Sequence, residues 1–247
     1  MTNDEVVNDL LGFEGLKIIQ RPDMMNFSLD SVLVADFAPL TSRIRHVVDI
    51  GTGFAPIPLF LSARNATLKM TGFEIQKDVA AIARRNVKLN HLEDRIEIVD
   101  DDFHQALKHL PPTSVDMVTC NPPFFKYDAT SNVSESDYKK IARHEVSITL
   151  ETLVKQSKAL LKDKGRFIMV HRADRLDEIL KTLDDHAFYV KRLRMVHPRH
   201  GKEATMVLID ASNNGGRAMR ILPPLYVHED ESGAYSKETL AIFRRNR

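Results

Sequence analysis

The sequence predicts a doubly wound α/β fold with a mostly parallel, seven-stranded sheet and an antiparallel hairpin at one edge. Short apolar runs alternate with segments of helical periodicity, which is the order found in parallel sheets covered on both faces. The last two apolar runs are joined by a short loop, as in an antiparallel pair. With 247 residues, 43% of them hydrophobic, the chain is long enough for one large domain of this kind.

The predicted strands and helices alternate from His46 onwards. The seven strands are 46–50, a run that ends at 72–74, 95–99, 115–120, 166–170, 189–196 and 204–209. Apolar residues at helical spacing predict helices at 77–90, 150–161 and 175–186. Because helices connect successive strands, most of the strands are expected to run parallel.

A short prefix precedes this sheet. It is predicted to contain an amphipathic helix at 4–11, a strand at 16–20 and an apolar helix at 32–38. Ser28 is a suitable N-cap for the last of these. We therefore expect three segments, which are a prefix of helix and strand packed on the functional site (1–45), the sheet domain (46–210) and a C-terminal extension of the same domain (211–247).

The composition excludes several classes of protein. Cys120 is the lone cysteine, which excludes a disulfide framework and a multi-cysteine metal site and fits a reducing cytosol. The sequence has no apolar run of membrane-spanning length and no basic-then-apolar N-terminal signal. We therefore expect a cytoplasmic protein without membrane contact.

Charge is unevenly distributed although the formal net charge is only +1. Residues 1–40 carry two basic side chains against seven acidic ones, whereas 186–220 carry seven basic against two acidic. The second segment predicts a basic face that meets a polyanion. The alternative is a solvated strand edge that is protected by charge.

The most specific stretch is Asn121-Pro122-Pro123-Phe124, at the end of the fourth strand. The two prolines remove backbone donors and stop the strand, so the stretch projects from the carboxyl end of the sheet, where open α/β sheets bind ligands. The Asn121 amide oxygen and the Pro122 carbonyl can accept hydrogen bonds from one planar NH2, while Phe124 can stack on its ring. This predicts a site for a flat, amine-bearing group, with a rigid turn as the alternative.

A second motif surrounds the first predicted strand. Gly51-Thr52-Gly53 follows that strand directly, and its two glycines allow a tight turn and the close approach of a ligand. About twenty residues later Glu74 ends the second strand, where an acid can accept hydrogen bonds from both ribose hydroxyls of an adenosine ligand. A dinucleotide fingerprint would have a third glycine where this sequence has Pro56, so a nicotinamide cofactor is disfavoured.

Two polar stretches complete the candidate site. Asp100-Asp101-Asp102 resembles a set of metal ligands. Neighbouring strand residues point to opposite faces, however, so the three carboxylates cannot converge on one ion and no metal is expected. Asp102 is instead predicted to accept from an adenine amine, with Phe103 against the ring. Residues 125–146 lack a sustained period and predict a lid loop; the alternative is a loop without a ligand role. This loop carries cationic and aromatic side chains that could bind nucleic acid, namely Lys126, Tyr127, Lys139, Lys140, Arg143 and His144.

Together these motifs resemble those of class I S-adenosylmethionine-dependent methyltransferases, which have a Rossmann-like fold. The Asn-Pro-Pro-aromatic stretch is typical of enzymes that methylate adenine, guanine or glutamine amide nitrogens. The chain is most similar to the bacterial tRNA(Val) adenine-N6 methyltransferases, which modify the adenosine 3′ of the anticodon. Further stretches that carry this resemblance are Phe27-Ser28-Leu29-Asp30, Ala142-Arg143-His144-Glu145, and Leu222-Pro223-Pro224-Leu225 with Gly233 and Tyr235.

The resemblance implies S-adenosylmethionine as cofactor and tRNA as partner. It implies cofactor contacts at Asp49, Gly51, Gly53, Glu74, Asp102 and Phe103. It implies contacts with the target base at Asn121, Pro122, Pro123 and Phe124. The matching stretches and the polar loop add substrate contacts at Phe27, Asp30, Lys126, Arg143 and His144.

The chain departs from the family pattern at Phe54-Ala55-Pro56, where the family usually has a small or polar residue and then glycine. This substitution can crowd the methionine end of the cofactor. Three alternatives stay open. One is methylation of a glutamine amide, whose NH2 also fits an Asn-Pro-Pro-aromatic site. The second is methylation of a guanine in ribosomal RNA, where Phe rather than Tyr is common at position 124. The third, which the departure suggests, is a non-catalytic protein that binds the cofactor and RNA. The short segment before the first strand disfavours the glutamine-amide enzymes, because these usually carry a larger helical domain there.

Overall fold

The computed structural model describes residues 5–10, 15–21, 29–122 and 149–245, which form a central sheet with helices on both faces and a small N-terminal hairpin. The strands are β1 (Val6–Asp9), β2 (Lys17–Gln20), β3 (His46–Ile50), β4 (Lys69–Phe73), β5 (Ile96–Val99), β6 (Val115–Cys120), β7 (Leu161–Arg172), β8 (Phe188–His197), β9 (Met206–Asn213), β10 (Arg220–Ile221) and β11 (Leu225–Tyr226). The helices are α1 (Leu29–Phe37), α2 (Pro56–Arg64), α3 (Lys77–Leu89), α4 (Ala106–His109), α5 (Leu150–Leu160), α6 (Leu176–Asp185) and α7 (Lys237–Arg245).

The main sheet has the strand order β10-β8-β9-β7-β6-β3-β4-β5, and β11 also pairs with β8. Strands β3 to β7 pair in parallel, whereas β9 is antiparallel to both β7 and β8. All seven predicted strands are present and the predicted hairpin is β8–β9, so the fold class is confirmed. The two-residue strands β10 and β11 were not predicted, and they extend the sheet beyond the hairpin.

Each face of the sheet buries its own hydrophobic cluster. One cluster contains Val32 of α1, Phe60 of α2 and Ala83 of α3. The other contains Leu153 of α5 and Ile179 of α6. Because parallel strands in such a sheet are covered on both faces, they read as nearly continuous apolar runs, and every residue of the central strand β6 is buried.

The N-terminal prefix differs from its prediction. The amphipathic helix predicted at 4–11 is wrong, because Val6–Asp9 forms β1 and pairs antiparallel with β2. The β-branched Val6 and Val7 favour a strand, and all four residues of β1 are exposed, so no apolar helical stripe is buried there. The predicted strand at 16–20 and the helix at 32–38 are present as β2 and α1.

Two asparagines, one in α3 and one directly after it, hold this hairpin to the helix. Asn86 is fully buried, and its amide accepts from the Ile19 backbone N–H and donates to the Ile19 carbonyl. Asn90, one turn later, makes the same pair of bonds with Lys17. The two amides thus satisfy the outer backbone groups of β2 as a neighbouring strand would. Asn86 also donates to the carbonyl of Phe54, which precedes α2.

We expect Asn86→Ala to lower the free energy of unfolding by about 2 kcal/mol, because buried backbone groups of Ile19 and Phe54 lose their partners. The matched control is Asn90→Ala, which should cost less than about 1 kcal/mol because water can replace its exposed bonds. Urea denaturation of both variants measures the difference. Equal losses would contradict the structural role assigned to Asn86.

Candidate active site

Four of the predicted site segments meet at the carboxyl edge of the sheet. Gly51–Gly53 follow β3, Glu74 follows β4, Asp102 lies shortly after β5, and Asn121 follows β6. These four strands are parallel neighbours in the order β6-β3-β4-β5. Their carboxyl ends therefore share one edge, which is where open α/β sheets bind ligands.

The loop after β3 turns through two glycines in the left-handed region. The φ angle is +62° at Gly51 and +57° at Gly53, a conformation that other residues adopt only with strain. No atom lies within 4 Å of the position that a Cβ would take at either glycine. The loop thus exposes bare backbone to open space, and a ligand can approach it closely.

Glu74 is a buried carboxylate whose orientation is fixed by backbone groups. Its side chain accepts from the Gly53 N–H at 3.0 Å and from the Gln76 N–H at 2.9 Å, one bond to each oxygen. Each carboxylate oxygen can accept more than one hydrogen bond. Glu74 therefore retains the capacity to accept from two neighbouring hydroxyls, as the sequence predicts for a ribose.

Asp49, at the end of β3, holds the glycine loop to the neighbouring strand. Its two oxygens accept from the hydroxyls of Thr52 at 2.7 Å and Thr119 at 2.6 Å. The residue is only 1% exposed, and burial raises the pKa of Asp49 to about 7; the two hydroxyl bonds oppose this rise and the Glu74 carboxylate adds to it. These bonds give Asp49 a role in shaping the loop.

Gly72 makes room for this arrangement. It lies opposite Asp49 in the β3–β4 pairing, and a Cβ at this position would be 2.9 Å from the side chain of Thr52. The Thr52 backbone N–H also donates to the Phe73 carbonyl at 2.9 Å. The loop is therefore held by its backbone to β4 and by its threonine to β3.

Asp102 and Phe103 lie beyond β5, at the start of the 3-10 turn Phe103–Gln105. The Asp102 carboxylate accepts from the His104 backbone N–H at 2.9 Å and lies 2.7 Å from His104 Nδ1. Phe103 is 4% exposed and packs edge-on against Phe73, with ring centroids 5.5 Å apart. Asp102 is therefore oriented by the turn, and Phe103 packs in the hydrophobic cluster beside the carboxyl ends of β4 and β5.

The three adjacent carboxylates in this stretch have separate partners. Asp101 lies 2.7 Å from His109 Nε2, and Asp100 lies 3.4 Å from a guanidinium nitrogen of Arg84. The carboxylates thus diverge. In the part of the chain that the structure describes, histidine, cysteine and acidic side chains form no cluster of three or more that could hold a metal ion.

Asn121 and Pro122 project from the end of β6 and are half-buried. The Asn121 amide nitrogen donates to the Ser31 hydroxyl oxygen in α1, at 3.3 Å. Asp30, a predicted substrate contact, is adjacent to Ser31 and so lies at the same edge. The predicted site residues that fall outside the described ranges are Phe27, Pro123, Phe124, Lys126, Arg143 and His144.

The predicted basic face is largely neutralised within the fold. Arg192 pairs with the buried Asp210, and Arg194 pairs with Glu238. Two further arginines are paired as Arg199–Glu231 and Arg217–Asp184, and Lys191 donates to the Gly216 carbonyl. Four of the seven basic side chains of 186–220 therefore pair with acidic groups within the fold, which favours the alternative of a charge-protected strand edge.

Sequence reasoning missed two further residues at this edge. Ile75 follows Glu74 directly and is 43% exposed. Its position next to the predicted ribose-binding acid could have indicated an apolar contact with the ligand. His171, near the end of β7, is buried, and its Nδ1 accepts from the Arg172 backbone N–H. Burial lowers the pKa of His171 to about 4, and the Arg175 guanidinium adds to this. Nothing in the sequence indicated that this histidine is buried.

The departure at Phe54-Ala55-Pro56 is accommodated in the core. Phe54 is 3% exposed and belongs to the hydrophobic cluster beneath the loop, so the open side of the loop is left to the glycines. Ala55 has a φ of +67° and lies just before Pro56 at the start of α2. A left-handed alanine is strained by contact of its Cβ with the following carbonyl.

Comparison with solved structures gives methyltransferases. A predicted O-methyltransferase from Agrobacterium tumefaciens has a TM-score of 0.70 and is 21% identical, with 88% of this chain and 96% of that chain covered. A geranyl diphosphate methyltransferase in complex with S-adenosylmethionine has a TM-score of 0.54 and is 12% identical, with coverages of 74% and 84%. At these identities the similarity concerns the fold.

Comparison with curated sequences gives more specific relatives. A protein of Porphyromonas gingivalis named tRNA1(Val) (adenine(37)-N6)-methyltransferase is 31% identical over 206 residues, covering 81% of this chain and 79% of the relative. A protein of the same name from Bacteroides thetaiotaomicron is 29% identical over 213 residues, covering 85% and 87%.

The strand order, the glycine loop and the acid after β4 are those of an S-adenosylmethionine-dependent methyltransferase, and this protein is such an enzyme. The family model described as methyltransferase small domain matches residues 30–188. The chain belongs to that family, and S-adenosylmethionine is its cofactor. None of the helices in the described ranges is long and apolar enough to cross a membrane.

We expect Ala55→Gly to raise the free energy of unfolding by about 1 kcal/mol, because glycine adopts a left-handed φ without the Cβ contact. The control is Ala83→Gly, a buried position inside α3, which should lower it by a similar amount because glycine is a poor helix former. Chemical denaturation measures both changes. A loss of stability in Ala55→Gly would show that the left-handed alanine is not strained.

The raised pKa of Asp49 makes stability depend on pH. Its ordinary pKa is 3.8 and its pKa in the fold is about 7, so between these values the folded protein binds a proton that the unfolded chain does not. This group's contribution to stability therefore falls as the pH rises from about 4 to about 7. Asp49→Asn removes the ionisation.

We expect the melting temperature of Asp49→Asn, relative to the parent protein, to increase between pH 5 and pH 8. Thermal melts of both proteins across this range measure the gap. Asp94→Asn, at an exposed position before β5, is the control for the charge change. A gap that stays constant for Asp49→Asn would contradict the raised pKa.

Proposed function

We propose that this methyltransferase transfers a methyl group from S-adenosylmethionine to the N6 amine of an adenosine in tRNA, in the anticodon loop of tRNA(Val). The observation that carries this proposal is the position of Asn121 and Pro122 at the end of β6, beside the glycine loop. The Asn121 amide oxygen and the Pro122 carbonyl can each accept a hydrogen bond from an NH2 group at this position. The names of the relatives, tRNA1(Val) (adenine(37)-N6)-methyltransferase, support an adenosine of tRNA as its source.

The residues at the edge fit the cofactor. The open space beside Gly51–Gly53 leaves room for it, Glu74 would accept from its ribose hydroxyls, and Asp102 would accept from its adenine amine. Phe103 and the exposed Ile75 provide apolar surface for the adenine ring. When bound, the cofactor supplies an electrophilic methyl group on a sulfonium.

Asn121 and Pro122 would act on the target amine. An adenine amine is a poor nucleophile because its lone pair is delocalised into the ring. Hydrogen bonds from its NH2 to the Asn121 Oδ1 and the Pro122 carbonyl would favour a more tetrahedral nitrogen, whose lone pair can attack the methyl carbon in line. The bond from that carbon to sulfur would break as the N–C bond forms, and the methylated nitrogen would lose its extra proton to solvent. Asn121 is neutral and is therefore an orienting acceptor, so most of the rate gain comes from orientation and electrostatics.

The RNA contacts expected from the sequence remain proposals. Pro123 and Phe124 complete the amine-binding stretch, with the Phe124 ring stacked on the target base. Asp30 lies beside the site, and the other proposed contacts are Phe27, Lys126, Arg143 and His144. A base must leave its stack to reach Asn121, and this costs less in a loop than in a duplex.

The division of the chain also remains a proposal. We assign 1–45 to a prefix of hairpin and helix on the site, 46–210 to the catalytic domain and 211–247 to its C-terminal extension. Contacts of α1 with α2, and of α7 with α1, are consistent with one continuous unit. The cytoplasmic location expected from the sequence stays a prediction.

The proposed function is tested with S-adenosylmethionine and unmodified bacterial tRNA. We expect N6-methyladenosine in one tRNA species when the RNA is digested and analysed by mass spectrometry. Cofactor binding without this product would direct attention to the glutamine-amide and guanine substrates. Cofactor binding without methylation of any of these substrates would favour the non-catalytic alternative, and failure to bind the cofactor would contradict the proposed function.

In the same assay we expect Asn121→Ala to abolish turnover, since the target amine loses an acceptor, while leaving the dissociation constant of S-adenosylmethionine within about twofold. Asn65→Ala, a half-buried asparagine before β4 and so at the opposite edge of the sheet, is the control and should retain activity. Equal loss of turnover and cofactor binding in Asn121→Ala would contradict the role assigned to Asn121.

A further inference from the structure

Ser31 contacts the side chain on which the proposed reaction depends. The Asn121 Nδ2 donates to Ser31 Oγ at 3.3 Å and so joins the end of β6 to α1 across 90 residues of sequence. Ser31 is 4% exposed. Within the described residues this is the hydrogen bond that holds the Asn121 side chain, and the orientation of the amide therefore depends on it.

The helix that carries Ser31 is firmly placed. Val32 and Val34, which follow Ser31 on α1, are fully buried in one of the two hydrophobic clusters. The same helix contacts α2, which follows the glycine loop, and β7. The Ser31 hydroxyl is consequently fixed relative to α2, which follows the glycine loop, and relative to β7.

An asparagine amide has two ends of opposite hydrogen-bonding character. The oxygen accepts and the nitrogen donates, so Asn121 can receive a target NH2 only with Oδ1 facing it. The reversed amide would place donor against donor. A serine oxygen has two lone pairs, and in the structure Ser31 Oγ accepts from Nδ2.

We propose that Ser31 is a positioning residue for methyl transfer, which holds the Asn121 Nδ2 so that Oδ1 faces the target amine. The inference rests on the proposed function, because it assumes that the substrate presents an NH2 group. It also bears on specificity, since an outward Oδ1 selects targets that offer N–H donors.

The test compares Ser31→Ala with Ser31→Thr, which keeps the hydroxyl, in steady-state methylation of tRNA. We expect Ser31→Ala to lower kcat about tenfold, the change expected on losing one neutral hydrogen bond. The KM for tRNA and the dissociation constant for S-adenosylmethionine should stay within about twofold. Ser31→Thr should recover most of kcat.

A buried serine elsewhere provides the matched control. Ser157 of α5 is fully buried and donates to the Leu153 carbonyl of its own helix. Ser157→Ala removes the same hydroxyl from a buried helical position and should leave kcat unchanged. A similar fall in kcat for Ser157→Ala and Ser31→Ala would overturn the proposal.

The remaining outcomes are also decisive. Unchanged kcat in Ser31→Ala, loss of cofactor binding alongside kcat, or failure of Ser31→Thr to recover activity would each overturn the positioning role. Ser31→Cys, close in size to serine, guards against misfolding, and unfolding of both Ser31→Ala and Ser31→Cys would make Ser31 a structural residue only. If the parent enzyme binds the cofactor but does not methylate tRNA, the proposed function fails instead.

Discussion

A buried carboxylate with two hydroxyl donors is the interaction on which the rest of the site depends. Asp49 joins the glycine loop to the strand that carries Asn121, since one oxygen binds Thr52 and the other binds Thr119. Thr119 lies on β6, two residues before Asn121. Burying a carboxylate is costly unless it is well hydrogen-bonded. The two hydroxyl bonds offset part of this cost, and they tie the glycine loop to β6.

The arginines of the C-terminal half serve the architecture in a similar way. Asp210 of β9 is fully buried and accepts from Arg166 of β7 and Arg192 of β8, so one carboxylate links three adjacent strands. The Arg192 guanidinium also lies 4.5 Å from the centre of the Phe37 ring and donates to the Phe37 carbonyl at the end of α1. This network holds α1 on the sheet, and it pairs Arg192 of the basic stretch within the fold.

The sequence was informative where one local pattern decides the structure. Apolar runs with helical segments between them predicted the sheet, and parallel strands then placed Glu74 and Asn121 at one edge without further knowledge. Prediction failed where the structure of a segment depends on a partner in another element. The strand at Val6–Asp9 depends on pairing with β2, and the contact of Ser31 with Asn121 joins segments 90 residues apart. The role of Asn86 was equally hidden, because its partner Ile19 is 67 residues away.

Glu74 is oriented by main-chain N–H groups, contributed by Gly53 and Gln76, rather than by neighbouring side chains. Every residue type except proline has such a donor. The side chain at position 76 can consequently drift during evolution without disturbing the carboxylate, provided that the path of the backbone is kept. The orientation of this carboxylate is in this sense encoded by the course of the chain, so distant homologues can share the same carboxylate geometry while few of the surrounding residues are identical.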